Sequence, residues 1–296
     1  MANLLEERNY YKPFNYPWAF EAYKMQQQMH WMPEEVSLAD DLKDFREKLS
    51  EGNKKLLTQI FRFFTQADVD VADGYATHYL PTFKQPEVRM MLSAFASMEA
   101  VHQEAYALLL DTLGYDEREY KMFSEIQTMA DKHDYLTNFN MENPFEMAKT
   151  LAVYSGFTEG VQLFSSFAIL LNFPRHNLMK GMGQIVTWSI RDESLHVESM
   201  SNLFKTFIRE NPLEWNDKLK YEIYCAGERV VELEDAFIDT CFENAEIPEL
   251  TAEEVKAYIR YIADRRLLGL GLKNIFHSDE NPLPWLDYML SGVEHT

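Results

Sequence analysis

The chain has 296 residues, 46% hydrophobic and 26% charged, with only 11 glycines and 11 prolines. That is enough for one large core, and the scarcity of turn residues argues against a β architecture. Its formal net charge of −20 repels a phosphate backbone, which argues against nucleic-acid binding but leaves nucleotide chemistry on a partner open.

Residues 1–50 read as an irregular N-terminal arm, interrupted by Pro13, Pro17 and Pro33 and rich in aromatic residues. From Gly52 the pattern turns helical. Residues 54–80 place Leu56, Leu57, Ile60, Phe63, Phe64 and Ala67 at i, i+3, i+4 spacing ahead of Pro81. Residues 86–113 form a second helix, with Pro86 in its first turn and Gly114 as its cap. A shorter helix is expected over 117–131 and a long one over 144–171, ending before Pro174. The next spans about 175–210, although Gly181 and Gly183 weaken its start and could delay it to 184. Two more cover roughly 214–244 and 251–272, and the segment 276–296 reads as the start of a tail. The expectation is one all-α domain over 1–296, a bundle of long antiparallel helices over 51–275, with no internal repeat.

Residues 1–8 carry early acids and no apolar run of a signal peptide, and no apolar stretch approaches the ~20 residues that span a bilayer. Cys225 and Cys241 lie in a helical pattern and read as reduced thiols of a cytoplasmic protein.

Two Glu-x-x-His patterns fall inside predicted helices, Glu99 with His102 and Glu193 with His196. Residues i and i+3 share one side of a helix, so each pair can grip one metal ion. Each Glu sits in an apolar run, where an unpartnered carboxylate is costly and a cation relieves the cost. Two further acids interrupt apolar helices, Asp68 after Ile60–Ala67 and Glu159 between Val153 and Phe164. The order along the chain is thus lone acid, Glu-x-x-His, lone acid, Glu-x-x-His on successive long helices. That is the ligand plan of a two-metal carboxylate bundle, with Asp68 where the general plan has Glu. For any one of these residues alone, an ion pair or a solvated face explains it better; six in this order are not explained that way. Asp70 and Asp73 compete with Asp68 and read as solvent-facing or hydrogen-bonded acids. Four carboxylates and two imidazoles suit iron or manganese.

The runs Met98–Tyr106, Glu159–Ala168 and Arg191–His196, with Trp31–Val36 and Asp264–Leu268, resemble those of the small (beta) subunit of class I ribonucleotide reductase. The resemblance covers nearly the whole chain and implies a ferritin-like bundle with additional helices. It implies Asp68, Glu99, His102, Glu159, Glu193 and His196 as metal ligands, Tyr106 as the radical-bearing tyrosine, and Asp192 and Trp31 as carriers of the oxidant outward. It implies a dinuclear centre, Fe/Fe first with Mn/Fe or Mn/Mn as alternatives. This centre activates oxygen or superoxide and yields a tyrosyl or metal-based oxidant for a large (alpha) subunit that reduces ribonucleotides. It also implies a homodimer. Phe164, Phe167, Leu163 and Ile190 are expected to pack dryly around the radical. The family usually continues into a C-terminal tail with a relay tyrosine; Tyr288 lies too close to the helical body to stand for it, and whether such a tail follows Thr296 is left open. A stand-alone dimetal oxidase or hydroxylase on the same bundle is the alternative; an iron-storage protein fits less well, because the helices at 214–272 exceed a four-helix cage subunit.

Overall fold

The structure is a computed structural model that describes residues 3–118, 120, 125–136, 139–243, 245 and 247–291. The described residues are helical throughout their ordered elements: α1 Pro17–Gln28, α2 Ala39–Glu47, α3 Glu51–Asp73, α4 Pro86–Leu113, α5 Gln127–Leu136, α6 Pro144–Val153, α7 Phe164–Arg175, α8 Lys180–Glu210, α9 Asp217–Phe242, α10 Ala252–Gly269 and α11 Pro284–Ser291. None of them is long and apolar enough to cross a membrane.

The core is built where α3, α4, the α6–α7 pair and α8 face one another. Their buried stripes interleave Leu57, Ile60, Phe64, Leu92, Phe95, Leu151, Ile169, Val186 and Met200, which supplies the packing that long amphipathic helices need. Helices α9 and α10 cover the α6–α7 side through Val230, Phe237, Ile259 and Leu267. The expected bundle with added helices is therefore present.

Several boundaries differ from expectation, each for a physical reason. The arm over 1–50 contains α1 and α2. Pro17 occupies the first turn of α1, where its fixed φ and missing N–H cost nothing, so it starts a helix rather than interrupting one. Buried Glu87 pins this arm to α4, pairing with Arg8 at 2.7 Å and accepting from the amides of Asn15 and Tyr16 at 2.7 and 2.9 Å. The helix expected over 117–131 lies instead at Gln127–Leu136, and residues 119 and 121–124 of that expectation fall outside the described residues. Helix α8 starts at Lys180, ahead of both glycines. Asp41 of α2 accepts from the amides of Gly181 and Met182 at 2.9 and 2.7 Å, satisfying first-turn donors that have no intrahelical partner. A Cβ on Gly181 would come within 2.7 Å of Ser37 O, so this glycine permits the close approach of α2. The segment read as a tail carries α11, and residues 292–296 lie outside the described residues.

The largest difference falls on 144–171. Helix α6 passes into a π-helical turn over Tyr154–Thr158, the chain unwinds through residues 159–163, and α7 begins at Phe164 and runs through Pro174. A similar π-helical turn, Gly74–Tyr79, follows α3. Both lie next to acids that the sequence marks out.

Candidate metal centre

All six predicted ligands converge on the interior of the bundle. Asp68 comes from α3, Glu99 and His102 from α4, Glu159 from the end of the second π-helical turn, and Glu193 and His196 from α8. Each is at most 2% exposed. Their ligand atoms fall into two groups within which all lie inside 4.8 Å of one another: Asp68, Glu99 and His102 in one, and Glu99, Glu159, Glu193 and His196 in the other. Glu99 belongs to both, so it is placed to bridge two cations. His102 Nδ1 stands 3.3 Å from both Glu99 Oε2 and Glu193 Oε1, and His196 Nδ1 stands 2.9 Å from Glu99 Oε1.

Asp68 Oδ2, Glu159 Oε2 and Glu193 Oε2 are buried without a hydrogen-bond partner. Such groups are expensive to bury unless something compensates them. Burial pushes the carboxyls of Asp68, Glu159 and Glu193 up, and the neighbouring carboxylates push the same way. Burial acts upward on Glu99 too, but the charges and hydrogen bonds of His102 and His196 outweigh it and hold Glu99 at about 2. Burial acts downward on His102, and the Glu99 charge with the Asp192 and Glu193 contacts overrides it, raising His102 well above the usual imidazole range. Four carboxylates, three of them with an unmatched oxygen, and two imidazoles fit two divalent cations by charge and by donor type.

Around this cluster runs a hydrogen-bonded line. Trp31, 2% exposed, donates from Nε1 to Asp192 Oδ2 at 2.8 Å, and the same oxygen meets His102 Nε2 at 3.2 Å. The Trp31 and His102 rings stack with centroids 5.9 Å apart. Asp192 thus orients a predicted ligand histidine from behind, as carboxylates behind metal-bound imidazoles commonly do. On the other flank, Tyr106 is 1% exposed and donates to Ser189 Oγ at 3.3 Å. Burial, with the Asp68 charge, pushes its phenol well above the ordinary range. Phe64 lies 4.7 Å from the Tyr106 ring and 5.1 Å from Phe167, and Leu163, Phe164 and Ile190 are also buried.

Sequence reasoning missed three neighbours. Gln26 accepts from His196 Nε2 at 2.9 Å and donates to Asp192 Oδ1 at 3.1 Å, so one amide ties the two predicted histidine environments together. It continues the buried Ala19, Ala22, Gln26 stripe of α1, a helical spacing hidden inside the segment read as irregular. Tyr75 donates to Glu159 Oε1 at 2.6 Å, and Ser189 receives the Tyr106 phenol; no spacing rule marks either. Asp70 accepts from Gln66 at 3.1 Å and pairs with His133 at 2.9 Å, and Asp73 is exposed, so both stay outside the cluster.

The fold and the cluster together define a ferritin-like bundle with a dimetal-carboxylate site. The family model described as "Ribonucleotide reductase, small chain" matches residues 8–282. The protein of invertebrate iridescent virus 6 named "Probable ribonucleoside-diphosphate reductase small subunit" is 44% identical over 333 aligned residues, covering 99% of this chain and 92% of the viral one. The ribonucleoside-diphosphate reductase subunit beta of Chlamydia pneumoniae is 32% identical over 93% of this chain and 83% of that protein. The ribonucleotide reductase R2 subunit from Clostridium botulinum shares the fold, with a TM-score of 0.84 and 23% identity over 93% of this chain and 89% of that one. The chain belongs to the ribonucleotide reductase small-chain family.

Proposed function

We propose that this protein is the radical-generating small subunit of a class I ribonucleoside-diphosphate reductase, with Asp68, Glu99, His102, Glu159, Glu193 and His196 as the ligands of its two metal ions. The observation that carries the reading is the unbroken line from Trp31 through Asp192 to His102, joined to a buried cluster in which two ligand groups share Glu99. A bundle that only bound or stored metal would have no use for that line.

When bound, the metal pair supplies the redox chemistry by which oxygen or superoxide becomes a one-electron oxidant. Tyr106 stores the oxidising equivalent. Its phenol is held protonated until it is oxidised, because burial disfavours the phenolate. Phe64 packs 4.7 Å from its ring and Phe167 packs behind Phe64, and this apolar packing excludes water that would quench a radical. Asp192 holds the Trp31 indole N–H with one oxygen and the Gln26 amide with the other, fixing the indole against the imidazole so that an electron and a proton can be exchanged without rearrangement. Trp31 then passes the equivalent toward a large subunit, where the ribonucleotide is reduced.

Iron in both positions is the first choice for this oxygen-rich donor set, with a mixed manganese–iron or a dimanganese pair as alternatives, because first-row selectivity rests on geometry and supply. The protein acts as a homodimer in the cytoplasm, as one domain spanning 1–296.

The test is reduction of ribonucleoside diphosphates by the iron-loaded, oxygen-treated chain. Turnover only when a class I large subunit is added supports the proposal; oxidation of a fatty or aromatic substrate by the chain alone, with no ribonucleotide turnover, overturns it.

A further inference from the structure

Glu159 stands on irregular backbone between α6 and α7. The amides of Glu159 and Gln162 each reach five residues back, to Tyr154 O and Phe157 O, while the amide of Phe164 reaches only three, to Val161 O. A segment with so mixed a ladder has few local restraints on where it presents a side chain. Two cations from helices outside the four ligand-bearing ones reach into it. Lys132 of α5 donates from Nζ to Gln162 O at 2.8 Å, and Arg266 of α10 donates from Nε to Gly160 O at 2.9 Å.

Lys132 is 0% exposed, an unusual place for an ammonium group. It is paired at 2.6 Å with Glu234 of α9, also 0% exposed, and it lies 4.4 and 4.0 Å from the ring centroids of Phe63 and Phe237. Ser165 at the start of α7 donates to the second oxygen of Glu234. Arg266 packs its guanidinium over the Phe164 ring at 5.1 Å. Gly160 completes the fit, because a Cβ there would stand 2.4 Å from Gly156 O and 2.9 Å from Arg266 Nε. A buried ion pair seldom adds net stability over an apolar replacement, so stability does not by itself explain Lys132 and Glu234. What the pair does is hold a donor at one carbonyl of the unwound turn, as Arg266 does at another.

We propose that Lys132 and Arg266 are positioning residues for Glu159, clamping the unwound turn so that this carboxylate is fixed on the side of the cluster formed by Glu99, Glu159, Glu193 and His196. The inference rests on the two-metal reading above. It assigns a role to α5, α9 and α10, which a bare four-helix dimetal bundle lacks. It also separates the two halves of the cluster: Asp68 and His102 stand on regular helix, and only the Glu159 half depends on the clamp.

The test uses the full chain, manganese(II) chloride as the probe, and the variants K132M/E234M, R266M and G160A. The double variant removes both members of the ion pair, so no charge is left buried alone. Manganese stoichiometry and affinity are read together with the electron paramagnetic resonance spectrum and Tm. The wild type takes up two manganese ions per chain with the broadened spectrum of a coupled pair. Each variant that folds keeps the first ion and binds the second about ten- to a hundredfold more weakly, leaving the six-line spectrum of isolated manganese(II). Variants that fold and take up two coupled ions with wild-type affinity overturn the inference, as does an equal weakening of both ions. A wild-type chain that takes up no pair overturns the two-metal reading itself.

Discussion

Without metal, the buried acids make stability fall as pH rises. Burial raises the carboxyls of Asp68, Glu159 and Glu193 in the fold, whereas in the unfolded chain they titrate near ~4. Above that value the folded state holds protons that the unfolded state has released. Linkage then makes the stabilisation complete below the unfolded pKa and progressively lost as pH climbs through the folded one. His102, also raised, acts in the same direction above ~6.5. Glu99, held at about 2, has the opposite sign but acts only in strong acid. Each retained proton is worth about 1.4 kcal/mol per pH unit, roughly 3 °C of Tm in a domain of this size. Removing two such groups in D68N/E159Q should therefore flatten the slope above pH ~4 by up to about 3 kcal/mol, or roughly 6 °C, per unit. Both positions are buried, so the self-repulsion of a chain with net charge −20 is common to the two proteins. The assay is thermal unfolding after chelation, at fixed ionic strength, for wild type and variant side by side. Parallel curves would mean that the buried acids do not hold extra protons in the fold. Reloading the wild type with metal should abolish the excess slope.

Replacing Trp31 by Phe keeps the ring but removes the indole N–H that Asp192 accepts. Metal content and any Tyr106 radical signal should persist while ribonucleotide turnover with the large subunit drops to background, as read by resonance spectroscopy and product assay. Replacing Gln26 by Leu strips His196 and Asp192 of a shared partner, and metal affinity should fall about ten- to a hundredfold in an equilibrium titration. Replacing Lys132 alone by Met leaves Glu234 buried and unpaired, which should cost about 3–5 kcal/mol in denaturant unfolding, most of it recovered in K132M/E234M.

The six residues that cluster were legible because each acid breaks an otherwise apolar helical run, a costly arrangement that local propensity does not explain. Helix α4 was legible for a similar reason: Pro86 and Gly114 mark its ends, and the structure has the helix at Pro86–Leu113. The unwinding at residues 159–163 was not legible. Every residue from Tyr154 to Phe173 is buried, so no polar face exists to reveal where the helical phase breaks. Helices α1 and α2 were hidden by prolines, which carry opposite meanings at a helix start and in its interior. Gly181 was read as a weak start when its role is contact with α2, a tertiary fact that spacing does not carry. Gln26 and Ser189 were missed for the same cause, since a polar residue on a buried stripe acquires a partner only when the other helices arrive.

Four elements presenting a two-cation site should be visible by anomalous diffraction from crystals soaked in manganese(II). Two peaks per chain are expected, one among Asp68, Glu99 and His102 and one among Glu99, Glu159, Glu193 and His196. A single peak, or manganese found only at surface acids, would contradict a two-cation site.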